Sequence, residues 1–164
     1  MRIVGALFIV LLLAAPAAAQ TIFVVRHAER ADAASGGSPM MASDPDLSDA
    51  GRARATSLAA ALKDARITAI FTTEYKRTRQ TAEPLAKALG IEATVVAARD
   101  MPALIEKLKG ATGNALVVGH SNTVGDVIAG LGVIEPVKLQ DTDYDNLFVV
   151  VKGEKPTLVR LHFR

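Results

Sequence analysis

Short apolar runs rich in β-branched residues recur along this chain, separated by stretches whose apolar residues fall three to four positions apart. Residues 21–25 (TIFVV) are the first such run, and their length and composition predict a buried strand. Residues 68–72 (TAIFT), 93–97 and 115–118 (ALVV) read the same way. Ser48 stands where a helix N-cap would, followed by Asp49. Ala53, Leu58, Ala61 and Leu62 share one face of the helix this predicts over 49–65. A second helix is predicted over 74–89, closed by Gly90, with Pro84 kinking or breaking it. A third runs over 101–109, with Pro102 in its first turn, and a short fourth over 122–131. Residues 31–46 are polar and rich in turn formers, a loop. Residues 147–151 and 158–163 flank Gly153-Glu154 and read as a terminal hairpin.

Strands that alternate with helices predict an α/β fold: a single three-layer α/β/α domain whose central sheet is mostly parallel and covered on both faces. The 164 residues suffice for one such domain.

The first twenty residues break this rhythm. Met1-Arg2 is a positive start, residues 3–15 are almost wholly apolar, and Pro16 precedes Ala17-Ala18-Ala19. That is the pattern of a secretory signal peptide over residues 1–19, cleaved after Ala19. A membrane anchor would need about 20 apolar residues, more than this run offers. The expected division is residues 1–19 as signal peptide and 20–164 as the folded domain, periplasmic or secreted, with no membrane anchor after cleavage. The chain has no cysteine, which excludes disulfides, thiolate catalysis and lipid attachment behind the leader.

Charge narrows the partners. Lys and Arg number 19 against 17 Asp and Glu, for a formal charge of +2. No basic run stands out, there is no Trp, and aromatics make up 4%, so no nucleic-acid partner is expected.

Two of the three histidines directly follow a predicted strand: Arg26-His27 after TIFVV and Gly119-His120 after ALVV. In open α/β sheets ligands bind at the carboxyl ends of strands, so both are candidates for one site. His162 lies inside a predicted strand and reads as structural. Lys76-Arg77-Thr78-Arg79 opens a helix just after the strand TAIFT, where backbone N–H groups and guanidinium forks suit an anion. An unprotonated imidazole can attack a phosphoryl group and a second can donate hydrogen bonds to its oxygens, while an acid serves the leaving group. No His-Glu-x-x-His or similar ligand spacing occurs, so neither a metal nor another cofactor is expected.

Four blocks resemble the histidine phosphatase superfamily, also called phosphoglycerate-mutase-like. Arg26-His27-Ala28-Glu29 is close to the family's Arg-His-Gly-Glu, with Ala28 in place of Gly. Leu47-Ser48-Asp49-Ala50-Gly51 is similar to its leucine–Ser/Thr–x–x–Gly step. The run from Phe71 to Glu83 looks like its second arginine motif, and Val117-Val118-Gly119-His120-Ser121-Asn122 like its second histidine motif. The blocks occur in the family's order. The resemblance implies that His27 is the phosphorylated nucleophile, that Arg26 and Arg77 grip the phosphate, and that His120 completes the pocket. It selects Arg77 over Arg79, which reads as a solvated neighbour. Glu74 and Asp100 are the candidates for the general acid. Glu29 is either functional or paired with Arg30 or a backbone group.

The function expected on this basis is metal-independent hydrolysis of phosphomonoesters through phosphohistidine at His27, with a small phosphorylated substrate. The alternatives are a phosphohistidine or phosphoprotein phosphatase, which needs little help from an acid, and a non-catalytic phosphate-binding envelope protein. A mutase is disfavoured because the chain has no room for the insertions that enclose a phosphoglycerate.

Overall fold

The computed structural model describes residues 19–32 and 44–163. The expected leader, save Ala19, and the middle of the 31–46 loop lie outside the described residues. Six strands form one sheet in the order β3-β2-β4-β1-β5-β6. They are β1 (Thr21–Arg26), β2 (Ile67–Thr72), β3 (Thr94–Val95), β4 (Asn114–Gly119), β5 (Asn146–Val151) and β6 (Thr157–His162). The first four are mutually parallel. The terminal hairpin β5–β6 adds antiparallel to β1. The helices are α1 (Asp49–Leu62), α2 (Lys76–Leu89), α3 (Met101–Gly110) and α4 (Val124–Gly130).

Period-two alternation along the strands sends side chains to two cores. Ile22, Val24 and Val117 pack with Leu108 of α3 and with Val124, Val127 and Ile128 of α4. Val25, Leu116 and Val118 pack with Leu58 and Leu62 of α1 and with Ala82 and Leu85 of α2. Two helices therefore cover each face, which makes the expected three layers. Each fully buried leucine or isoleucine here contributes roughly 1.5–3 kcal/mol, so the core supplies the stability that cross-links give elsewhere.

Several boundaries differ from the sequence expectation. α1 stops at Leu62, three residues early, where Ala65 N–H turns back to the Leu62 carbonyl. The third strand keeps two of its five expected residues. α4 begins at Val124 after a turn in which both Thr123 and Val124 N–H groups reach the His120 carbonyl. α2 begins at Lys76 rather than Glu74 and runs unbroken through Pro84. Its N-cap, Tyr75, provides no side-chain bond. The Asp44 carboxylate caps it instead, accepting from Lys76 N–H at 3.0 and 2.9 Å. A cap delivered from a distant loop leaves no local signal, which is why the start of α2 was misplaced.

Parallel pairing of β1 with β4 places Arg26 beside Gly119. Both strands end at the same level, and the residue that follows each is a histidine. His27 N–H extends the ladder by one bond, to the Gly119 carbonyl at 2.9 Å.

Candidate active site

His27 and His120 meet edge to face, their ring centroids 5.4 Å apart, and both are almost fully buried. His27 Nδ1 lies 2.8 Å from the Ala28 carbonyl. A carbonyl only accepts, so Nδ1 carries the proton and Nε2 keeps its lone pair. The loop that presents His27 is tied down by Thr81 of α2. Thr81 Oγ1 accepts from Ala28 N–H at 2.9 Å and donates to the Arg77 carbonyl at 2.7 Å.

Two guanidinium groups flank the imidazoles. Arg26 leaves the end of β1, 7% exposed, and Arg77 sits in the first turn of α2, 5% exposed. Arg79, one residue beyond Thr78, is exposed. Tyr144 stacks on Arg26 and Tyr75 on Arg77, each at 4.2 Å from ring centroid to guanidinium carbon. These are the chain's two tyrosines. Arg26 Nη1 donates to the Gln140 carbonyl at 2.9 Å, and its Nη2 lies 3.8 Å from Asp141. Arg77 Nη1 lies 3.6 Å from Asp44. The Nε–H of each arginine is buried and finds no partner among the described residues. A buried unpaired donor costs about 1–3 kcal/mol, more if charged, a cost that an anion accepting from both would remove.

Burial, with the charges of Arg26, His120 and Arg77, lowers the His27 pKa to about 3 despite its bond to Ala28. Burial and Arg77 lower that of His120 to about 4, against the opposing pull of Glu74 and Asp44. Both imidazoles are therefore neutral at pH 7. Burial, then the charge of Arg30, also lowers the Arg77 pKa from its ordinary value.

The structure thus brings together His27, His120, Arg26 and Arg77. It separates the two carboxylates considered as acids. Asp100 caps α3, accepting from Ala103 N–H at 3.1 Å. Glu74 stands in the turn before α2, near enough for its charge to act on His120, and accepts from Ala98 N–H at 2.8 Å. Glu29 does not pair with Arg30. Its carboxylate takes three bonds from Arg54 at 2.6–2.9 Å, while Arg30 pairs with Asp32. Burial raises the Glu29 pKa, but the Arg54 bonds, its own N–H and both nearby cations outweigh this and leave it lowered. His162 lies on the exposed edge strand β6, 3.2 Å from Asp145. Sequence reasoning missed Tyr75, Tyr144, Thr81, Asp44 and Thr73, whose hydroxyl oxygen lies 3.0 Å from His120 Nε2. That the chain has only two tyrosines, one of them inside the Phe71–Glu83 run, was the one available signal.

Among the described residues no three His, Asp or Glu side chains cluster as metal ligands would, and no helix is long and apolar enough to cross a membrane.

A family model, histidine phosphatase superfamily (branch 1), matches residues 22–106, half of the chain and three of the four blocks. The chain belongs to this superfamily. Solved structures agree on the fold. The protein histidine phosphatase SixA complexed with tungstate is 19% identical, with a TM-score of 0.65 over 87% of this chain and 97% of its own. A mycobacterial glucosyl-3-phosphoglycerate phosphatase complexed with VO3 is 14% identical, with a TM-score of 0.70 over 85% of this chain and 97% of its own. A phosphoserine phosphatase mutant from Entamoeba histolytica, in complex with phosphoserine, is 15% identical, with a TM-score of 0.66 over 88% and 96%. No curated protein matches in sequence. The turn after β4 that carries His120 lies outside the matched span.

Proposed function

We propose that the protein is a phosphatase that hydrolyses phosphomonoesters through a phosphohistidine at His27, without a metal ion. The observation that carries this reading is the tautomer of His27. Its Nδ1–H is committed to the Ala28 carbonyl, leaving an unprotonated Nε2 beside two buried guanidinium groups whose Nε–H donors have no partner among the described residues. In the first step Nε2 attacks phosphorus, and the P–N bond forms as the bond to the leaving oxygen breaks. Arg26 and Arg77 neutralise the phosphoryl oxygens, a task a metal performs elsewhere. The leaving oxygen takes a proton from Glu74, the candidate acid whose charge reaches His120. Water then attacks the phosphohistidine, the P–N bond breaks, inorganic phosphate leaves, and the water's proton returns to the same carboxylate.

A phosphohistidine or phosphoprotein substrate is the second reading. One observation favours it: both candidate acids hold backbone N–H groups, Glu74 that of Ala98 and Asp100 that of Ala103. A good leaving group would need neither. Export belongs to the same proposal and rests on the leader pattern of residues 1–19.

The test is hydrolysis of a generic aryl phosphate in EDTA. The wild type should stay active, His27→Ala should lose at least about a thousandfold in rate, and Arg77→Ala should bind vanadate about a hundredfold more weakly. Activity that EDTA abolishes, or that survives in His27→Ala, contradicts the reading.

A further inference from the structure

A planar guanidinium carries all its N–H groups in one plane. A protein can hold such a group by its edge or by its face. A carboxylate or carbonyl at the edge takes up donors that a ligand then cannot use. An aromatic ring against the face takes up none.

Both arginines of the site are held by the face. The guanidinium carbon of Arg26 lies 4.2 Å from the ring centroid of Tyr144, and that of Arg77 lies 4.2 Å from the centroid of Tyr75. A third such contact, Arg160 over Phe148 on the β5–β6 hairpin, is longer, at 5.4 Å. Edge partners are few. Arg26 donates to the Gln140 carbonyl at 2.9 Å and, at 3.4 Å, to the Tyr144 hydroxyl. The carboxylates of Asp44 and Asp141 stay 3.6 Å from Arg77 and 3.8 Å from Arg26, beyond hydrogen-bond length. Both Nε–H groups are buried and without a partner among the described residues. A buried guanidinium with idle donors needs another source of stabilisation, and the ring face supplies it.

The same rings reach the imidazoles. Tyr75 meets His120 edge to face with centroids 5.4 Å apart, and Tyr144 lies 6.2 Å from His27. Tyr144, His27, His120 and Tyr75 thus form a row of rings with a guanidinium group at each end. Each tyrosine sets one arginine relative to one histidine. We infer that Tyr75 and Tyr144 are positioning residues that hold Arg77 and Arg26 by their faces and so keep both Nε–H groups free for the oxygens of a bound phosphoryl group. Both tyrosines are only half-buried, so replacing one disturbs the arginine it covers more than the core.

The inference rests on the reading that the pocket takes a phosphoryl group, though not on hydrolysis. The experiment is calorimetric titration with vanadate. Tyr75→Leu keeps an apolar side chain but no π face, and should bind vanadate roughly tenfold more weakly. Tyr75→Phe should recover the lost affinity. Tyr144→Leu should show the same loss, and Tyr144→Phe should recover most of it. The loss must pass through the arginine, so in an Arg77→Ala background Tyr75→Leu should cost no more than about twofold. A full loss in that background, or wild-type affinity in either leucine variant, overturns the inference. NMR of the arginine side chains in the wild type decides the matter even where a leucine variant does not fold. Both Nε–H resonances should move downfield as vanadate binds, and resonances that stay in place overturn the inference. Wild type that binds no vanadate sinks the phosphate pocket and this inference with it. Wild type that binds vanadate with both resonances shifted, yet hydrolyses no ester, sinks the phosphatase reading and leaves this inference standing.

Discussion

Two neutral imidazoles inside a cationic pocket tie the site to the stability of the fold. An unfolded histidine titrates near 6.5. Folded His27 titrates at about 3 and His120 at about 4, chiefly because burial disfavours the charged ring. Between those values and 6.5 the unfolded chain binds protons that the native protein does not. Stability is therefore complete above pH 6.5 and falls as the pH drops toward 3. Urea unfolding from pH 7 to pH 4 should show this decline, and His27→Gln should flatten it. Equal slopes for variant and wild type would mean that His27 is not held neutral. The same residues show what sequence reveals at this scale. His27 and His120 each follow an apolar run, so their strand-end placement was legible from a few neighbours. Thr73 and Tyr144 were not, because their roles arise from partners 47 and 118 residues away.

Elements meet at the site through close backbone approaches. Gly51, in the first turn of α1, is one: a Cβ there would lie 2.2 Å from the Glu29 carbonyl oxygen. That carbonyl also accepts the N–H of Ser48, the α1 N-cap, at 2.9 Å. The second block thus holds α1 against the loop that presents His27. Gly51→Ala should destabilise the protein by about 1–3 kcal/mol and lower kcat, since the 27–29 loop must move. A variant with wild-type melting and rate would show that this contact does not position the loop. Helix starts were legible where the signal was local, as with Ser48 before α1 and Pro102 in the first turn of α3. The start of α2 was not, since Asp44 reaches it across 32 residues of sequence.

On the scale of the molecule, alternation of strand and helix gave the layers, and family motifs gave the order of the blocks. The sheet order required the structure: only with β4 between β2 and β1 do His27, His120 and the Arg77-bearing turn converge. The antiparallel hairpin extends the same sheet past β1. The 140–144 segment before it brings the Gln140 carbonyl and Tyr144 to Arg26. The central claim is that this convergence makes His27 a covalent carrier of phosphate. Rapid quenching of the enzyme during turnover of an aryl phosphate, followed by peptide mapping under alkaline conditions that preserve phosphohistidine, tests it most directly. The account predicts one phosphoryl group on His27, absent from His27→Ala. Turnover with no phosphoenzyme at any time, or a phosphoryl group on another residue, would contradict it.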